Sequence, residues 1–166
     1  HQPGARRLVK AAGTGGAWVY APLANAVYDD RHDKTTIEMY RAAATNHLAG
    51  GADGLYLDSL PWPHAPEQYQ VLREMGYPEV YARKSKHYLL GPRAADPGPY
   101  APARQLPLTL EEGVAAKVRV FVGDQLAAAR RDGELDRVEL GIRIIQVGDG
   151  DGISFKLNGH VLPLAQ

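Results

Sequence analysis

Gly50-Gly51-Ala52-Asp53-Gly54-Leu55-Tyr56-Leu57-Asp58 is a helix-to-strand step. An alanine-rich segment runs into two glycines, and an apolar run follows and stops on a carboxylate. Gly50 or Gly51 supplies the left-handed residue that ends a helix. Leu55-Tyr56-Leu57 then reads as a strand that delivers Asp58 to its C-terminal end. In α/β sheets and barrels, the C-terminal ends of strands are where ligands bind.

Upstream, Ile37, Tyr40, Arg41, Ala44 and Leu48 recur at helical spacing. Thr35 or Thr36 can cap that helix, with Glu38 in the first turn where the dipole favours an anion. Before it, Ala17-Trp18-Val19-Tyr20-Ala21-Pro22-Leu23 follows a glycine-rich turn and reads as a buried strand, with Pro22 marking its end. The loop between strand and helix is charged: Tyr28-Asp29-Asp30-Arg31-His32-Asp33-Lys34.

Downstream of Asp58, the segment Ser59-Leu60-Pro61-Trp62-Pro63-His64-Ala65-Pro66 is a proline-stiffened loop. A helix is expected over 67–75, broken by Gly76, and a second from Pro78 carrying Val80, Tyr81, Lys84, His87 and Tyr88. Residues 92–107 hold five prolines and read as an extended linker. Beyond it the pattern turns to β. Residues 116–122 and 138–147 alternate apolar and polar side chains, and Asn158-Gly159 between two such runs is a hairpin signal. The expected organisation is an α/β region over 1–91, a linker over 92–107 and an antiparallel β domain over 108–166.

The chain of 166 residues has 45% hydrophobic and 23% charged residues, ordinary values for a chain that buries a core. Lys plus Arg and Asp plus Glu are 19 each, and that balance argues against nucleic acid or an anionic membrane as the main partner. No apolar run approaches the roughly 20 residues of a membrane helix. With no cysteine there is no disulfide frame and no thiolate metal site. Compartment stays open, and an extracellular or periplasmic place is compatible with this composition. The start, His1-Gln2-Pro3-Gly4, reads as the interior of a longer sequence or as a processed beginning.

Two segments carry a resemblance. Ile37-Glu38-Met39-Tyr40-Arg41-Ala42-Ala43-Ala44, followed by Ala49-Gly50-Gly51-Ala52-Asp53-Gly54-Leu55-Tyr56-Leu57, resembles the late βα units of glycoside-hydrolase-like (β/α)8 barrels of large bacterial proteins. Residues 117–162, with Lys156-Leu157-Asn158-Gly159, resemble the β-sandwich appended after such barrels, including galactose-binding-like carbohydrate modules. The resemblance implies the C-terminal part of such a protein: partial (β/α) barrel units followed by a small antiparallel β-sandwich-like domain. It implies a poly- or oligosaccharide as partner and hydrolysis of glycosidic bonds by a carboxylate pair in a barrel-type cleft. The alternative is a non-catalytic carbohydrate-binding module or an inactive fragment of a larger hydrolase. A whole barrel takes about 250 residues, and residues 1–91 show two βα units. Self-association, or the remainder of a longer chain, is therefore expected to complete the sheet.

Asp58 is the first candidate for a catalytic carboxylate, with Asp30 or Asp29 as its partner. Glycosidases need two such groups roughly 5–10 Å apart. The plainer reading of Asp58 is a turn cap or ion pair, and that of Asp29, Asp30 and His32 is a solvated loop. Trp62, between two prolines, is the candidate stacking platform, with His64 beside it as a hydrogen-bond donor to sugar. Tyr56 and His32 complete the candidate substrate contacts. For Trp18, Tyr20 and Tyr56, core packing is the preferred reading. Neither a metal nor a cofactor is expected. His32 lacks a second histidine at ligand spacing, and Asp149-Gly150-Asp151-Gly152 has His160 where a calcium loop needs glutamate.

Overall fold

The computed structural model describes residues 9–10, 12–13, 15–24, 35–60, 62–91 and 105–163. The chain divides into two compact units, His1–Glu134 and Leu135–Gln166.

The first unit is built on a strand–helix–strand crossover. Strand β1 (Tyr20–Ala24), helix α1 (Ile37–Ala49) and strand β2 (Gly54–Asp58) follow in order. The two strands pair in parallel from Tyr20↔Gly54 to Ala24↔Asp58. Thr36 caps α1: its backbone is extended and its Oγ1 accepts from Met39 N at 3.4 Å. At the other end, Gly51 N–H donates to Leu48 O and Ala52 N–H to His47 O. That pair of bonds satisfies carbonyls the helix leaves open, and it needs the left-handed φ of +93° that Gly51 adopts.

Pro22 lies within β1, opposite Tyr56, rather than at its end. Val19 O faces β2, where it accepts from Asp53 N. Backbone groups alternate along a strand, so the Pro22 nitrogen faces away from β2 and no ladder bond is lost.

Helix α2 (Pro66–Glu74) starts on a proline and α3 (Pro78–Tyr81) does the same. Ala65, before α2, offers no side-chain acceptor; instead Gln68 Oε1 reaches back to Ala65 N at 2.7 Å. Leu23, Tyr40, Ala44, Val71, Met75 and Tyr81 form the core, with Ile37, Ala43, Leu55 and Leu57 packed against it. One face of the β1–β2 pair therefore meets α1.

The other face stays open. Trp18, Tyr20 and Tyr56 are 75%, 59% and 50% exposed, which corrects the expectation that they pack in the core. Strand alternation is the reason: the inward positions of β1 belong to Ala21 and Leu23, so Tyr20 points outward. Register puts Tyr56 on that outer face, opposite Pro22.

Helix α3 is short. Residues 85–91 follow it as irregular chain, with His87 N donating to Glu38 O at 3.1 Å. Tyr88 Oη donates to Asp124 Oδ2 at 2.7 Å, and Lys86 Nζ lies 3.0 Å from Asp124 Oδ1. These contacts belong to a chain pinned from the side rather than to a continuing helix.

Residues 105–125 stay with the first unit. The 116–122 segment forms no helix or turn and joins no ladder among the described residues. Two side-chain amides take the place of a neighbouring strand. Asn46 Nδ2 donates to Phe121 O at 3.1 Å, and its Oδ1 accepts from Gly123 N at 2.7 Å. Gln105 does the same for both polar groups of Arg119, each at 2.8 Å. Helix α4 (Leu126–Arg131) closes this unit.

In the second unit, β3 (Phe155–Leu157) and β4 (His160–Leu162) form the antiparallel hairpin expected around Asn158-Gly159. Both turn residues take positive φ, +51° and +90°. Residues 138–147 show no ladder among the described residues, and Val138, Leu140 and Ile142 are exposed. Asp151 Oδ2 accepts from Gly148 N at 2.8 Å and so closes its own turn. Among the described residues there are two two-stranded sheets, and no barrel closes. No described helix is long and apolar enough to cross a membrane.

Candidate functional site

The end of β2 carries the side chains of interest. Parallel pairing with Ala24 sets Asp58 at the C-terminal edge of the sheet, on the outer face that also carries Tyr56. Ser59 Oγ donates to Asp58 Oδ1 at 2.9 Å. Ser59 itself sits at φ +58°, a left-handed conformation that costs a non-glycine residue about 1–2 kcal/mol. The chain turns sharply there and enters the proline-rich loop.

That loop presents Trp62, which is 80% exposed. His64 meets it edge to face, with ring centroids 5.0 Å apart and planes at 81°. Tyr69, on α2, meets His64 in turn at 5.6 Å and 90°. Three rings thus run from a helix to the loop tip. Edge-to-face contacts of this kind are worth about 0.5–1.5 kcal/mol each. They hold an indole whose surface remains open to solvent.

Trp62 and His64, both singled out from sequence, are brought together. Asp58 and Tyr56 share one sheet face. Asp29, Asp30 and His32 lie outside the described residues. Tyr69 was not among the expected site residues; its place in α2, five residues after His64, was the available signal.

Sequence reasoning also missed a second cluster, buried behind the sheet. Arg41 Nε donates to Glu74 Oε2 at 2.7 Å and Nη2 to Oε1 at 3.1 Å, a two-pronged ion pair. Gln70 Nε2 and Lys84 Nζ also donate to Oε1, at 3.1 and 2.8 Å. The remaining Arg41 nitrogen, Nη1, reaches Ser85 O at 3.3 Å and lies 3.8 Å from Glu38. Hydrogen bonding from Arg41 holds the Glu74 carboxyl down at about 2 against the upward push of burial, with Lys84 and Gln70 adding to it. Arg41 falls on the core-facing stripe of α1, and a charge there requires a buried partner. Its sequence position was the clue; the partner's was not.

Other buried groups are shifted by desolvation. Burial lowers the His47 pKa, and its Nδ1 has no hydrogen-bond partner. Burial, then the adjacent Glu79 charge, raises Tyr81 to about 12. Burial, then the hydrogen bond to Asp124, also raises Tyr88. None of these groups lies in the loop after β2. Comparison with protein-family models, curated proteins and solved structures finds no match to this chain.

Proposed function

We propose that this is a carbohydrate-active protein that holds a poly- or oligosaccharide against the loop after β2. One observation carries the reading: the Trp62 ring is open to solvent yet braced by His64 and Tyr69. An apolar sugar face stacks on such a ring, and its polar rim needs hydrogen-bond partners such as His64. The barrel-like and sandwich-like resemblances point to the same class of ligand.

Hydrolysis is a second reading, favoured by the place of Asp58 at the C-terminal edge of a parallel pair. In it Asp58 serves as one carboxylate, and Asp30 or Asp29 as the other. A screen of chromogenic glycosides with wild type and Asp58→Asn decides this point. Turnover lost in the variant supports hydrolysis; equal turnover removes Asp58, and polysaccharide binding without turnover leaves the binding-module reading.

On the same reading β1 and β2 belong to a larger sheet. Parallel sheets are ordinarily covered on both faces and paired at both edges. A second copy, or further units of a longer chain, then covers Tyr20 and Tyr56.

A further inference from the structure

Pro66, Gln70, Arg73 and Glu74 line one face of α2, and with Val80 and Lys84 they border an open groove of about 460 Å³. Their spacing along the helix, i, i+4, i+7 and i+8, is that of one helical stripe. Glu74 is the only carboxylate in this lining. Its two oxygens already accept from Arg41, Gln70 and Lys84. Arg41, behind it, is also answered by Glu38.

The cations facing the cavity are less fully used. Lys84 gives one bond to Glu74 and has two further N–H groups. Arg73 forms no ion pair or hydrogen bond among the described residues, so its five N–H donors are free. The cavity thus has a spare guanidinium and a partly spare ammonium, while its carboxylate already accepts four hydrogen bonds, three of them at Oε1. Its volume lies within the range of small-molecule sites.

We propose that this groove binds a small oxyanion, a phosphate or a carboxylate, between Arg73 and Lys84. Arg73 supplies the two-pronged contact that its planar fork favours, and Lys84 the point charge. Glu74 fixes Lys84 in position and repels an anion that sits too deep. The proposal does not depend on the sugar reading.

The test is an NMR titration of the full 166-residue chain with sodium phosphate and, in a second arm, sodium acetate. Sodium chloride keeps the ionic strength equal throughout. Saturable shifts clustered at the amides of Gln70, Arg73, Val80 and Lys84 are expected. A response to phosphate alone or to acetate alone supports the site and identifies its ligand class. Arg73→Gln should weaken binding about tenfold. Arg73 is exposed and unpaired, so that variant keeps its fold even if Lys84→Gln does not. Absence of saturable shifts in both arms, or equal affinity in Arg73→Gln, overturns the proposal.

Discussion

Arg41 and Glu74 are 33 residues apart in sequence, and their side chains meet through two hydrogen bonds of 2.7 and 3.1 Å. Both are nearly buried, at 6% and 4% exposure. The pair ties α1 to α2 beneath the sheet. Removing Glu74 leaves the desolvated Arg41 charge with only Glu38, 3.8 Å away, and the Ser85 carbonyl to answer it, which costs up to about 3–5 kcal/mol. Glu74→Ala should therefore lose about that much stability in urea unfolding. Replacing both residues, Arg41→Met with Glu74→Leu, should recover most of the loss, because well-packed apolar side chains substitute for a buried pair at little cost.

The same carboxylate predicts acid behaviour. Its folded pKa, about 2, lies below the ordinary 4.5, so the unfolded state binds the extra proton first. Glu74 adds stability that is fully present above pH 4.5 and is lost as pH falls toward about 2. Urea midpoints measured across that window should fall steeply in wild type and less steeply in Glu74→Gln.

His47 acts in the neutral range with the same sign. Burial depresses its pKa below 6.5, so protonation favours the unfolded chain. Stability should rise as pH increases toward 6.5 and level off above it. In His47→Leu that part of the slope should disappear from thermal unfolding curves recorded at a series of pH values.

Asn46 and Gly123 test how the segment around Phe121 is held. A Cβ on Gly123 would lie 2.7 Å from Thr45 O, a backbone atom that cannot step aside cheaply. Gly123→Ala should cost about 1–3 kcal/mol, and Asn46→Ala a similar amount through two lost bonds. Amide exchange near Phe121 and Gly123 should speed up in both. Unchanged exchange would mean that Asn46 does not hold this segment.

The exposed outer face of the β1–β2 pair, and edges that pair with no further strand among the described residues, predict association. Light scattering on the isolated 18.0 kDa chain should give at least twice that mass at working concentration. A well-folded monomer would contradict completion of the sheet by a second copy.

Local signals were legible in the sequence. Thr36 caps α1, Gly51 ends it, Pro78 opens α3, and Asn158-Gly159 makes the hairpin. Each depends on a residue's own backbone preference and needs no distant partner. The β2 strand and the place of Asp58 at its end were equally readable. What could not be read is long-range and carried by side chains. Asn46 standing in for a strand beside Phe121 and Gly123 has no periodicity to betray it. Nor has Asp124 holding Tyr88 and Lys86, which takes 85–91 out of the expected helix. Alternation over 138–147 signals a strand only when a neighbour exists, and among the described residues that stretch has none. For the candidate site, Trp62 and His64 were readable as loop residues between prolines, whereas the brace from Tyr69 depends on how α2 packs.

The central claim is that Trp62 is a sugar platform. Affinity electrophoresis of wild type and Trp62→Ala, in gels cast with a panel of soluble polysaccharides, tests it most directly. Wild type should be retarded by at least one polysaccharide, and Trp62→Ala should bind about tenfold more weakly while its melting temperature falls by no more than a few degrees. Retardation of both proteins to the same extent, or of neither by any polysaccharide, would contradict the account.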